Sequence, residues 1–311
     1  PQFNYRETFE DREKMLISEL SSIYVGCVLK DDSLFTIRAN LGIGIIPSLF
    51  DCRILLLQDN EKPWAKPVIT NRGDLEQLTA DGVPDLTTGL GGRATEIAKF
   101  YRDALADYPK LSQTVHVTLP DTQGILDLAH TLWGSEIYLA MADSPDLVHK
   151  LLQLVTETYI EFSKLQKKVV NDEDEPGWHY HSSCYCKGGV RICDDSATNV
   201  SRQMYREFCI PYNQAAFDAF GGGWIHSCGS FQRFLEDMLS LKGLTGVNFG
   251  NPERYPLGEY YDKFASRKIL INLYSLTDGS KPRDYPFIKT GIMYHIHVPT
   301  LEQAKALLTG A

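Results

Sequence analysis

The sequence predicts an α/β fold and, within that class, a single closed-barrel domain spanning residues 1–311. Three observations carry the prediction. From about residue 178 to the C-terminus, apolar runs alternate with helical patterns, the order that builds a parallel sheet with helices packed on it. The runs 223–225, 244–247, 269–273 and 291–294 are short and almost continuously apolar, as strands buried on both faces must be. No Gly-rich dinucleotide fingerprint follows any of them. The triplet Gly221-Gly222-Gly223 precedes its strand, the wrong place to cradle a phosphate, so a closed barrel is preferred to an open doubly wound sheet.

Taken in chain order, segments 7–23 and 95–107 carry helical patterns, and runs 54–57 and 114–117 are apolar enough for strands. Ser144 and Pro145 supply a cap and a first-turn proline ahead of Leu147, Leu151, Val155, Tyr159 and Phe162, an apolar stripe at helical spacing. The polar segment 171–177 ends in Pro-Gly and is expected to be a solvated loop, not a domain boundary. Asn199-Val200-Ser201 opens a helix with Met204, Tyr205 and Phe208, which Pro211 breaks or restarts. Gly229-Ser230 should start another helix with Phe231, Phe234 and Leu235. Pro299-Thr300 precedes a last one with Leu301, Ala304, Leu307 and Leu308.

A chain of 311 residues buries about three-quarters of its extended surface, enough for a large core without staples. Hydrophobic and charged fractions of 43% and 23% are globular values and argue against a disordered or fibrous protein. No apolar run approaches the ~20 residues a membrane span needs. A net charge of −9 without any basic block leaves no footprint for nucleic acid. Residues 1–4 show neither a basic nor an apolar region of a secretory signal, and the absence of an initiating Met leaves room for a truncated N-terminus. Seven cysteines, an odd number in a chain too large to need disulfides, fit a reducing cytoplasm.

Three clusters could carry chemistry. In Gly223-Trp-Ile-His226-Ser-Cys228-Gly229 an apolar strand ends in His-x-Cys, and residues i and i+2 of a strand point the same way. Imidazole and thiolate then converge on one point, a donor pair that suits Zn²⁺. The alternative is a buried His bonded to backbone beside an inert Cys. The second cluster runs from Trp178 to Gly189 through His179, His181, Cys184 and Cys186, then Arg191, Cys193, Asp194 and Asp195. As one strand it would put His179 and His181 on one face, and such basic groups beside carboxylates can hold an anionic substrate. Asp194 and Asp195 are neighbours, so at most one faces a common site; Asp195 could equally cap the following turn. The third is His295-Ile-His297 at the end of the last strand, with Glu253 after the strand at 244–247 as a competing oxygen ligand.

The stretch from Asp195 through Asn199-Val200-Ser201, Met204-Tyr205, Glu207-Phe208 and Pro211-Tyr212, then His226-Ser227-Cys228-Gly229 and Gly246-Val-Asn-Phe-Gly250-x-Pro252-Glu253, resembles the uroporphyrinogen decarboxylase superfamily. Asp121-Thr-Gln-Gly124 and Pro145-Asp146-Leu147 are also similar, so the likeness covers roughly residues 110–310. It implies one (β/α)8 barrel. It also implies one of two chemistries. Corrinoid methyltransferases of this fold use His-x-Cys and a late Cys to bind Zn²⁺, which activates an acceptor thiol; His226 and Cys228 match, and His295 or His297 stands where the late Cys would be. Uroporphyrinogen decarboxylases instead use an early Arg-x-x-x-Arg pair and an early aspartate, and neither is found here.

The leading expectation is therefore methyl transfer in corrinoid-linked metabolism, with Zn²⁺ on His226, Cys228 and a third group, His297 or Glu253. Asp195 and His226 are the expected catalytic residues, and a small molecule, together with a corrinoid or corrinoid protein, the expected partner. The alternative is a metal-free lyase removing a carboxylate from a porphyrinogen or related polycarboxylate; a third reading is a barrel that only binds a corrinoid ligand or protein. Consecutive parallel strands are neighbours, so Asp195 is expected to open onto the same pocket as His226.

Overall fold

The computed structural model describes residues 3–171, 177–181, 184–254, 257–273, 290–295 and 298–309. Its strands are β1 (Thr36–Arg38), β2 (Arg53–Leu55), β3 (Trp64–Lys66), β4 (His116–Thr118), β5 (Trp178–His181) and β6 (Cys184–Lys187). They continue with β7 (Val190–Cys193), β8 (Gly223–Ser227), β9 (Leu244–Phe249), β10 (Leu270–Leu273) and β11 (Ile292–Tyr294). The last five form one parallel sheet in the order β11-β10-β9-β8-β7, each neighbour reached through a helical connection except the β10–β11 link, most of which lies outside the described residues. The pair β1–β4 is parallel as well, whereas β2–β3 and β5–β6 are antiparallel hairpins. The architecture is thus mixed α/β with a five-stranded parallel sheet; among the described residues the strands belong to separate sheets, joined where β5 packs on both β4 and β7.

Two expectations about strands change. The run at 54–57 enters an antiparallel hairpin, Ile54 opposite Ala65, and not the parallel sheet. The segment from Trp178 to Cys193 is not one strand: it turns back through β5 and β6, and β7 alone joins β8. The glycines at 188 and 189 make that second reversal possible, since a Cβ on Gly188 would lie 2.6 Å from Gly223.

Helix positions follow local chemistry closely. The pattern at 7–23 divides into Tyr5–Glu10 and Arg12–Leu29 because the Asp11 side chain accepts the N–H groups of Glu13 and Lys14 and starts a new helix. Ser144 and Pro145 begin the helix Pro145–Val170, whose stripe of Leu151, Val155, Tyr159 and Phe162 is buried. Ser201 caps Arg202–Phe208, and the chain restarts as Ile210–Phe220 with Pro211 in its first turn. After Gly229 only a 3-10 turn, Gln232–Phe234, and the short helix Leu235–Met238 form. One hydrophobic cluster runs from Phe9 to Ile271 and joins the long helix to Ile192, Val247 and Ile271 of the parallel sheet. No helix among the described residues is long and apolar enough to cross a membrane.

Candidate metal centre

The register of the sheet builds this site. Cys193, the last residue of β7, is paired with His226 of β8, and His226 in turn with Asn248 of β9 and Asn248 with Asn272 of β10. Residues paired across parallel strands present their side chains to the same face. Cys193, His226, Asn248 and Asn272 therefore form one row near the C-terminal ends of the strands, each buried.

Beyond Cys193 the Asp194 N–H donates to the His226 carbonyl at 2.8 Å, and the chain then enters the 3-10 turn Asp195–Asn199. Asp127, on the helix Ile125–Trp133, holds that turn by accepting the N–H groups of Asp195 (3.1 Å) and Ser196 (2.6 Å). The turn brings Asp195 over the end of β8. Its Oδ1 accepts the Cys228 N–H at 2.5 Å and lies 3.6 Å from His226 Nε2. Cys228 Sγ is 3.5 Å from the same nitrogen. Gly250 leaves room for that sulfur: a Cβ there would sit 2.8 Å from it.

Cys193, Asp195 and His226 form a group that could hold a metal ion, their ligand atoms all within 4.8 Å of one another. The electrostatics suit an incoming cation. Burial pushes the His226 imidazole down to about 4, with the Arg191 guanidinium adding to the effect and Asp195 opposing it, so the ring is neutral at pH 7. Burial raises the Cys228 thiol and, much further, that of Cys193, helped by Asp195 and Asp127 respectively. Both thiols keep their protons until a cation joins them, and deprotonation on metal binding is the ordinary coupling at such sites. Asp127 is pushed up to about 6, by burial first and then by Asp195.

The predicted residues fare differently. His226, Cys228 and Asp195 meet. Glu253 does not join them: it lies exposed on the turn Pro252–Arg254, accepts from Asn251 Nδ2 at 3.0 Å and is 4.0 Å from Arg254. From that turn it is Asn251 that reaches the β8 end, its Oδ1 accepting the Gly229 N–H at 3.0 Å. His297 lies outside the described residues. His295 stands across β9 and β10 from His226, with Nε2 3.2 Å from Asn272 Nδ2 and 4.0 Å from Cys184 Sγ. His179 is buried and engaged with the Gly188 carbonyl at 2.5 Å. Sequence spacing passed over Cys193 as a ligand, although it directly precedes the Asp194-Asp195 pair at the end of an apolar run.

An α/β scaffold with an N/S/O donor group at the ends of adjacent parallel strands is the class that fold and site define. No family model matches the chain, and no curated protein matches it.

Proposed function

We propose that the chain is a methyltransferase of corrinoid-linked metabolism, holding Zn²⁺ on His226, Cys228 and Cys193. The observation that carries this reading is the convergence of Cys228 Sγ and Asp195 Oδ1 on His226 Nε2, at 3.5 and 3.6 Å, with Cys193 on the same face. The donors suit the ion: a neutral imidazole and two thiols whose protons a cation would displace. When bound, zinc lowers the pKa of a substrate thiol so that it can accept a methyl group at neutral pH. The protein's own part is to hold and to move a proton. Asp195, tethered by the Cys228 N–H, stands next to the donor set as the acceptor of the substrate thiol's proton. A corrinoid, free or carried by a partner protein, is the proposed methyl donor. The absence of any disulfide among the described cysteines suits a reducing compartment such as the cytoplasm.

For the scaffold we propose closure into a (β/α)8 barrel. What supports it is that β5, though hydrogen-bonded only to β6, packs against both β4 of the parallel pair and β7 of the five-stranded sheet. At the other edge a cavity of about 480 Å³ separates Ile292, Met293 and His295 from Asp32, Ser33 and Leu34, just ahead of β1. The site would then lie at the barrel's C-terminal mouth, where functional residues collect.

One observation favours the carboxy-lyase as a second reading. Arg38 lies 3.9 Å from Asp121, and it and Arg191 hold that carboxyl low against its burial, so two cations stand where a polycarboxylate could be gripped without metal. Elemental analysis of the full chain separates the two. Near-stoichiometric zinc and methylation of a small thiol from methylcobalamin, both lost in the double variant His226→Ala/Cys228→Ala, support methyl transfer. Decarboxylation by metal-free protein contradicts it.

A further inference from the structure

Asn248 and Asn272 are buried to 2% and 3% exposure in the middle of the parallel sheet, where apolar residues are the rule. Their bonds run in one direction. Asn248 Nδ2 lies 3.2 Å from the Asn272 backbone carbonyl and 2.9 Å from Asn272 Oδ1, and Asn248 Oδ1 lies 2.5 Å from His226 Nδ1. A backbone carbonyl can only accept, and within a strand it cannot turn over. If the Asn248 amide were reversed, its oxygen would face two acceptors in a buried place without compensation, an arrangement that costs the full desolvation of the group. The amide is therefore fixed with nitrogen toward β10 and oxygen toward β8. An oxygen facing His226 Nδ1 requires that nitrogen to carry the ring proton.

We infer that Asn248 is a positioning residue: anchored on the Asn272 carbonyl, it keeps the His226 proton on Nδ1 and turns the Nε2 lone pair toward Cys193 and Cys228. The inference deepens the zinc reading and rests on it for its purpose, though not for its geometry. The same row treats its two histidines differently. Asn272, whose Oδ1 is turned to Asn248, donates through Nδ2 to His295 Nε2 at 3.2 Å, whereas His226 Nε2 faces Cys228 Sγ at 3.5 Å and Asp195 Oδ1 at 3.6 Å. Without Asn248, the competing partner for His226 is Asp195, 3.6 Å from Nε2, which would draw the proton to the very nitrogen a metal needs.

The test is the tautomer itself, read by long-range ¹H–¹⁵N correlation on metal-free full-length chain labelled with ¹⁵N-histidine. The wild type should show His226 protonated on Nδ1. Asn248→Leu, which removes the acceptor, should shift the proton wholly or partly to Nε2. Zinc affinity, measured by competition with a chromophoric chelator, should fall about 10–100-fold in Asn248→Leu, the usual range for a partner behind a ligating histidine. Wild type protonated on Nε2, or Asn248→Leu with an unchanged tautomer, overturns the inference. If the leucine variant does not fold, the wild-type spectrum decides alone. Nδ1 protonation in a chain that binds no zinc refutes the metal reading while supporting the role of Asn248.

Discussion

His226 lies in β8 and Cys228 just beyond its end, where Asp195 holds the Cys228 N–H, and their closeness is visible in the sequence as His-x-Cys after an apolar run. Asp195 was legible for a different reason: it closes one strand segment immediately before the next helix start, and the turn there is short enough to reach the neighbouring strand end. Cys193 was not legible as a partner, because its pairing with His226 depends on the register between two strands 33 residues apart. Glu253 stands outside the described cluster for a local reason, since the turn after β9 directs its carboxylate to Asn251 and Arg254. The part assigned to Asp195 gives a prediction at this scale. Asp195→Asn retains an oxygen for the Cys228 N–H but cannot accept a proton, so zinc content should hold while the thiol-methylation rate falls about 10²–10⁴-fold, as for a lost general base. Equal losses of zinc and rate would make Asp195 a ligand instead.

At the scale of elements, the site is a meeting of strand ends supported from behind. Gly250, after β9, contributes only space, and its N–H donates to the Ser227 carbonyl at 2.9 Å. Gly250→Ala should therefore displace the Cys228 sulfur without touching His226 and lower zinc affinity by about tenfold, the lower end of effects from outside the ligand set. Chelator competition, with circular dichroism to check the fold, measures it. The hairpin β5–β6 is the element that sequence patterning missed, because the alternation of His179, Tyr180 and His181 continues plausibly past a reversal that spacing does not mark. It creates a pH dependence. His179 is pushed down to about 4, by burial first with Lys167 and Arg191 adding and the Gly188 carbonyl opposing. In the unfolded chain it takes up a proton near pH 6.5, whereas in the folded protein it stays neutral until about pH 4. Its share of stability is thus complete above pH 6.5 and is lost as the pH falls toward 4. Thermal unfolding across that window should show a shallower acid-side decline in His179→Gln than in wild type; an identical slope would mean that His179 is charged or solvated in the fold.

Across the whole molecule, the order of elements from residue 178 onward was the most legible feature, since continuous apolar runs can be buried only between helical layers. The parallel pairing of β7 through β11 follows it. The first third was less so, because strands of three residues, such as β1 and β2, offer too few positions for a period to register. On the proposed reading, β7 and the residues at the end of β8 together present a nitrogen–sulfur metal centre. Titration of the metal-free full-length chain with Co²⁺, followed by visible and near-ultraviolet absorption, tests it directly. One equivalent should bind tightly, with thiolate-to-cobalt charge transfer that weakens in Cys193→Ser and in Cys228→Ser and disappears when both are changed. Absence of binding, or a bound ion with no thiolate band, would contradict it.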